Sequence, residues 1–277
     1  MPKVDLAGRT IAITGASSGI GRATAVACAR AGMRVVCAAR RADRLEQVVQ
    51  EIRTGGGQAE SLVMDVALPG ENARLISFCL ERFGSLFSVF SNAGYGIERS
   101  VLDYSQAELT AIFQTNFWSS LELMRLAARH MLEANPPPVR GHVLACSSCV
   151  SKIGLPNFAA YSGTKALQDH FGRAMRAELS SRGVLVSTVH PIGTRTEFFD
   201  TASSLSGAER TSIQTPDRLK QHPDVVARAI VGRLRRSVGG EVWTSLPIRL
   251  ALAGAIIAPG LIDALLRKRQ REMDSAR

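Results

Sequence analysis

Cysteine is scarce in this sequence and odd in number: Cys28, Cys37, Cys79, Cys146 and Cys149 lie mostly in apolar runs. That pattern argues against a disulfide-stapled scaffold and leaves buried free thiols in a reducing compartment as the expectation. The five histidines, at 130, 142, 170, 190 and 222, lack metal-ligand spacing, so no metal is expected. No leader is visible: Met1-Pro-Lys-Val-Asp5 runs almost directly into the first strand, and the expected address is cytoplasmic. The uncharged run 250–262 has thirteen residues, short of the ~20 that span a bilayer, and Pro259-Gly260 breaks it. Neither an internal repeat nor a linker is visible, which leaves one domain over 1–277.

What is present is a core and a regular alternation. With 277 residues, 45% of them hydrophobic, the chain can build one large α/β domain. Apolar runs predict strands at 9–14, 34–39, 61–65, 86–91, 142–146, 184–190 and 241–244. Helical patterns lie between them at 20–31, 43–54, 70–83, 105–132 and 161–181, and Pro223 opens another. Ser105-Gln-Ala-Glu108 has capping-box spacing, and the prolines after Asn135 end the helix that it starts. Strands and helices alternating over short links predict a Rossmann-type doubly wound parallel sheet with helices on both faces. The polar, weakly periodic stretch 194–222 reads as a lid.

Two motifs carry chemistry. Thr14-Gly15-Ala16-Ser17-Ser18-Gly19-Ile20-Gly21 is a glycine loop between a strand and a helix. Glycine lets the backbone approach a phosphate, and the helix start aims free amides at the anion. The second strand ends at Ala39 with no carboxylate to repel a 2′-phosphate, and Arg40-Arg41 follows. Arg22 is a candidate helper. Tyr161 and Lys165 are four apart and share a helix face. A tyrosine titrates near pH ~10, and a neighbouring ammonium favours the phenolate. Tyr161 is thus the expected general acid in reduction and base in oxidation.

Thr14-Gly-x-x-x-Gly-x-Gly21, Asn92-Ala93-Gly94, Ser148, Tyr161-x-x-x-Lys165 and the Pro191…Thr196 segment together resemble the short-chain dehydrogenase/reductase family, collinear from about Leu6 to about Phe199. The resemblance implies NADP(H) as cofactor, gripped at its 2′-phosphate by Arg40, and ribose hydroxyls bound by Lys165. It implies an adenine contact at Asp65-Val66, cofactor binding at Asn92-Ala93-Gly94, and a carboxamide contact at Pro191 and Thr196. Ser148 matches the serine that bonds the substrate oxygen, with Ser147 and Ser151 as nearby decoys. Asn116 matches the asparagine that holds a water in the proton relay, and its other reading is a helix-kink residue. Ser91 stands where the family often has a second asparagine, and Ile192 where it has a glycine. Dimers or tetramers through the helices at 105–132 and 161–181 are implied on the same ground. The reaction implied is hydride transfer between NADP(H) and a carbonyl/alcohol pair, without metal or covalent intermediate.

Cys146-Ser-Ser-Cys149 has dithiol spacing but ends a strand and encloses Ser148, so redox chemistry is not expected. His190 either lines the pocket or belongs to the core, the second being the stronger reading. Residues 218–277 hold twelve Lys or Arg against five Asp or Glu, much of the net charge of +10. Their poverty in aromatics speaks against nucleic acid. The extension 246–277 instead combines apolar residues with the cluster Arg267-Lys-Arg-Gln-Arg271. It fits a roof over the pocket, a subunit contact, or peripheral contact with an anionic membrane. Any of these suits a lipophilic substrate such as a sterol, a retinoid or a long-chain aldehyde or ketone. The rival function is a catalytically silent NADP(H) sensor or scaffold, against which the full Ser148, Tyr161, Lys165 and Asn116 set argues.

Overall fold

The computed structural model describes residues 3–206 and 220–275. Seven parallel strands form one sheet: β1 (Thr10–Thr14), β2 (Arg34–Ala39), β3 (Gln58–Val63), β4 (Ser88–Ser91), β5 (Gly141–Cys146), β6 (Val184–His190) and β7 (Gly240–Trp243). Their spatial order is β3-β2-β1-β4-β5-β6-β7. Helices α1 (Gly19–Arg30), α2 (Ala42–Thr54), α3 (Glu71–Phe83), α4 (Gln106–Phe113), α5 (Ser119–Ala134) and α6 (Ala159–Leu179) lie between the strands. The chain continues through α7 (Phe198–Ser206), α8 (Pro223–Leu234), α9 (Leu246–Ile257) and α10 (Pro259–Asp274).

Side chains along a strand alternate between the two faces, and here both are buried. Ile11 and Ile13 of β1 join a core with Cys28 of α1, Val48 of α2 and Ile230 of α8. Ala12 faces the other way, into a core with Leu75 of α3, Leu123 of α5 and Met175 of α6. Full burial of one such leucine or isoleucine contributes about 1.5–3 kcal/mol. Helix α1 presents Gly21, Thr24, Ala25, Cys28 and Ala29 inward, small residues that allow close approach.

Chain direction across the sheet reverses between β1 and β4, so the loops after these two strands part and leave a crevice at their carboxyl ends. Three elements depart from the sequence expectation. The third strand is β3 at Gln58–Val63, because its pairing starts with Arg34 opposite Gln58, and Asp65 therefore lies beyond it. The helix expected at 105–132 keeps its capping box at Ser105 and Glu108 but is broken by a π-turn, Gln114–Trp118. In the expected lid, Thr194 bridges Gln221 and α7 is helical, while 207–219 lie outside the described residues.

Candidate active site

The chain leaves β1 at Thr14 and turns through Gly15 (φ 64°) and Gly19 (φ 55°), left-handed conformations that favour glycine. A Cβ on Gly15 would lie 2.9 Å from Asn92 Nδ2, and one on Gly19 2.9 Å from Thr196 Cγ2. On Gly21 it would meet the Gly15 carbonyl. The loop therefore holds bare backbone against its neighbours. Ser17 and Ser18 complete it, Ser18 being the extended residue before α1. The first helical bond runs from Arg22 N to Ser18 O, so the amides of Gly19, Ile20 and Gly21 have no intrahelical acceptor. Such a helix start, next to a glycine turn, fits a pyrophosphate.

The wall opposite is tied to this loop. Thr14 Oγ1 accepts from the amides of Asn92 (3.0 Å) and Ala93 (3.1 Å), and Asn92 Nδ2 donates to Thr14 O at 3.0 Å. Asp65 Oδ1 accepts from Ala67 N at 3.0 Å in the turn after β3, with Val66 buried beside it. Arg40 is largely exposed, its Nη1 3.7 Å from Asp65 Oδ2. Arg41 reaches the glycine loop: Nη2 donates to Ser18 Oγ (2.8 Å) and Ser17 Oγ (3.1 Å), and Nη1 to Glu197 Oε2 (2.9 Å). Arg22 instead pairs with Glu51 of α2 at 2.5 Å. Pro191 O accepts from Cys149 N at 3.0 Å, and Thr196 Oγ1 accepts from Phe198 N at 3.3 Å.

Beside the crevice, β5 delivers Ser148, whose Oγ accepts from Val150 N at 3.3 Å in a 3-10 turn over Cys149–Lys152. Helix α6 carries Tyr161 and, one turn on, Lys165, whose Nζ is 5.6 Å from the phenol ring centre. Lys165 Nζ donates to Cys146 O (2.7 Å) and Gln168 Oε1 (3.0 Å). Burial lowers the Lys165 pKa, against a smaller raising effect of Cys146. Burial likewise pushes the Tyr161 phenol above its ordinary value, while a hydrogen bond with Ser148 pulls it down. In the protein alone, burial outweighs the phenolate-favouring effect expected from Lys165. Ser147 Oγ donates to Lys165 O (2.8 Å), and Ser151 contacts His190 (3.4 Å), so both act as structural ties.

Asn116 sits in the π-turn, fully buried. Its Oδ1 accepts from Tyr95 N (3.0 Å), and its Nδ2 donates to Tyr95 O (2.8 Å) and Thr164 Oγ1 (3.2 Å). A Cβ on Gly94 would lie 3.0 Å from Asn116 Oδ1 and 3.4 Å from Lys165 Nζ, so this glycine keeps β4's loop close to both.

His190 is a core residue, stacked on Trp243 with centroids 4.5 Å apart and 3.3 Å from Asp169 Oδ1. Asp169, His190 and Glu241 bring ligand atoms within 4.8 Å of one another. The Lys152 ammonium already bonds both carboxylates, at 2.5 and 3.1 Å. Aromatic rings wall the crevice in front of Tyr161: Phe198 at 4.9 Å and Phe158 at 6.3 Å between centroids. The sequence reading missed Arg41's contacts, Glu197, Phe198 and Gln168. Arg41 was visible as one of two arginines, whereas the other three carry no motif.

A parallel sheet with a glycine cradle at its switch point and a Ser148, Tyr161, Lys165 cluster beside it defines a nucleotide-binding oxidoreductase. The family model for short chain dehydrogenases matches residues 9–205, and the chain belongs to that family. A ketoacyl reductase, HetN, of Nostoc sp. is 29% identical over 267 residues, covering 95% of this chain and 89% of its own. Versicolorin reductase stcU of Emericella nidulans is 33% identical over 196 residues, 70% of this chain and 72% of its own. Among solved structures, an alcohol dehydrogenase from the archaeon Thermococcus sibiricus, complexed with 5-hydroxy-NADP, superposes with a TM-score of 0.72 at 25% identity. That match covers 85% of this chain and 95% of the other. The family's fold takes a nicotinamide cofactor, and the glycine cradle with its open helix start fits one.

Proposed function

We propose that the protein is an NADP(H)-dependent oxidoreductase acting on a lipophilic carbonyl/alcohol pair. The observation that carries the reading is the clustering of Ser148 after β5 with the half-buried Tyr161 and, one turn along α6, Lys165, whose Nζ lies 5.6 Å from the phenol ring centre. The cofactor, when bound, supplies or takes up the hydride. Gly15, Ser17, Ser18, Gly19, Ile20, Gly21, Asp65, Val66, Asn92, Ala93, Gly94, Pro191 and Thr196 hold it, with Lys165 at the ribose. Ser148 orients the substrate oxygen, Tyr161 gives that oxygen its proton in reduction, and Lys165 keeps positive charge beside the phenol.

Two arginines at the end of β2, with no carboxylate at Ala39, support NADP(H). The aromatic wall of Phe158, Phe198 and Tyr161 supports a lipophilic substrate, as does the carboxyl-terminal pair. Helix α9 packs near the 3-10 turn that follows Ser148 and meets α10 at 108°. The pair exposes Leu246, Leu250, Ile257, Leu261 and Leu265, with Arg267, Lys268 and Arg271 nearby in sequence. This combination suits contact with an anionic membrane surface. Liposome co-sedimentation with and without residues 246–277 tests that contact; equal binding by both forms would refute it.

The deciding experiment follows NADPH oxidation, with NADH as control, across carbonyl compounds from small aldehydes to sterol ketones. Turnover that favours NADPH and rises with apolar size supports the reading. Tyr161→Phe should then lower kcat by about 10²- to 10⁴-fold while cofactor affinity survives. NADPH binding without turnover on any substrate would favour the silent sensor.

A further inference from the structure

The resemblance places a relay water at Asn116, and protein groups also bond its side chain and backbone carbonyl. The side chain is engaged by Tyr95 and Thr164, and the backbone carbonyl of Asn116 accepts from Gln168 Nε2 at 2.6 Å. The same Gln168 amide offers Oε1 to Lys165 Nζ at 3.0 Å. All three side chains are buried. The orientation of the amide is fixed by chemistry: reversed, it would set an NH₂ against an ammonium and an oxygen against a carbonyl. Both ends of Gln168 are therefore committed, one to the catalytic lysine and the other to the π-turn.

We propose that Gln168 is a positioning residue, whose side-chain amide bridges Lys165 to the Asn116 carbonyl and holds the ammonium at a fixed place beside Tyr161. The inference rests on the reading of Tyr161 as proton donor. Lys165 has three N–H bonds. The Cys146 carbonyl takes one and Gln168 another, leaving the third for the side bordered by Gly94 and the phenol ring. Without the bridge the ammonium keeps one anchor and can swing from the ring. The other titratable groups facing the pair, Cys146 at the end of β5 and Cys149 after it, stay neutral because burial raises their thiols. They do not substitute for the ammonium.

The test compares Gln168→Leu and the near-isosteric Gln168→Glu with the native enzyme, on a substrate that the native enzyme reduces. It reads kcat against pH, the KM for NADPH and Tm. A slackened ammonium leaves the phenol harder to ionise. The high-pH limb of the reduction profile should then move up by about one unit, with kcat reduced and the NADPH KM little changed. The carboxylate of Gln168→Glu neutralises the ammonium and should move the limb in the same direction. A purely structural glutamine would make Gln168→Leu lower Tm and leave the limb in place. A folded Gln168→Leu whose limb coincides with the native one overturns the proposal, and if it does not fold, the uncharged Gln168→Asn, too short to span both partners, decides in its place, with Gln168→Glu showing only that charge at this position reaches the phenol. Native protein that binds NADPH yet turns over no carbonyl would defeat the parent reading instead, before either variant is made.

Discussion

Arg41, just before α2, is joined to Glu197, just before α7, with Nη1 2.9 Å from the carboxylate. The hydrogen bond from Arg41 lowers the Glu197 pKa, so the carboxylate is ionised at neutral pH. Arg41 also bonds Ser17 and Ser18, while the largely exposed Arg40 has a loose ion pair with Asp65, at 3.7 Å. The two neighbours are thus not equivalent. Arg40→Ala should raise the KM for NADPH by about tenfold or more and leave that for NADH unchanged, since only a phosphate needs the guanidinium. Arg41→Ala should weaken both cofactors, because it loosens the loop that each must occupy. Steady-state kinetics with the two nucleotides separate these outcomes.

Gly94 is the second place to probe. An added methyl group would press on Asn116 Oδ1 and approach Lys165 Nζ, so Gly94→Ala should displace the ammonium from the phenol. The expected result is a fall in kcat of about tenfold or more with a stability loss of only about 1–3 kcal/mol. Native-like kcat in Gly94→Ala would show that the lysine tolerates movement.

Asp169 contributes to stability on the acid side. Burial alone would raise its pKa, but hydrogen bonds from His190 and Lys152 outweigh it and hold the carboxyl well below the usual carboxylate range. A depressed native pKa contributes stability that is complete above the unfolded value of about 4 and is lost as pH falls below it. Asp169→Asn should cost about 3–5 kcal/mol at pH 7, because Lys152 is left short of one counter-ion in a buried place. Its stability should also fall less steeply than that of the native protein as pH is lowered below about 4, where the unfolded carboxyl takes up a proton that the native one does not. Thermal melts across that range give both quantities.

The thiols provide a fourth check. Burial pushes Cys28, Cys37 and Cys79 up to about 12, so almost none is thiolate at pH 8. Iodoacetamide should leave these three unmodified in the folded protein and alkylate them after urea unfolding. Peptide mass mapping reads the difference directly.

Much of the fold was legible because its signals are local. The apolar runs, the capping box at Ser105 and Pro223 at a helix start each act within a few residues. The π-turn was not legible, because its extra residue is held by distant groups: Asn116 is fixed by Tyr95, Thr164 and Gln168. Likewise Ser148, Tyr161 and Lys165 stand out by spacing, whereas Glu197 meets Arg41 across 156 residues of chain. Pro259 breaks the carboxyl-terminal apolar run as its sequence predicts, between α9 and α10, and the same proline starts α10, where its missing amide is no loss.

The Tyr161 ring packs against both Phe198 and Phe158, with centroids 4.9 and 6.3 Å away. Its acidity and the shape of the wall are therefore one property. A change at Phe198 that admits a bulkier or more polar substrate also admits water to the phenol, and so alters the pH range over which the enzyme works. With Tyr161 as the proton donor proposed above, substrate range and pH range are expected to shift together in any lineage, or any laboratory selection, that remodels these rings.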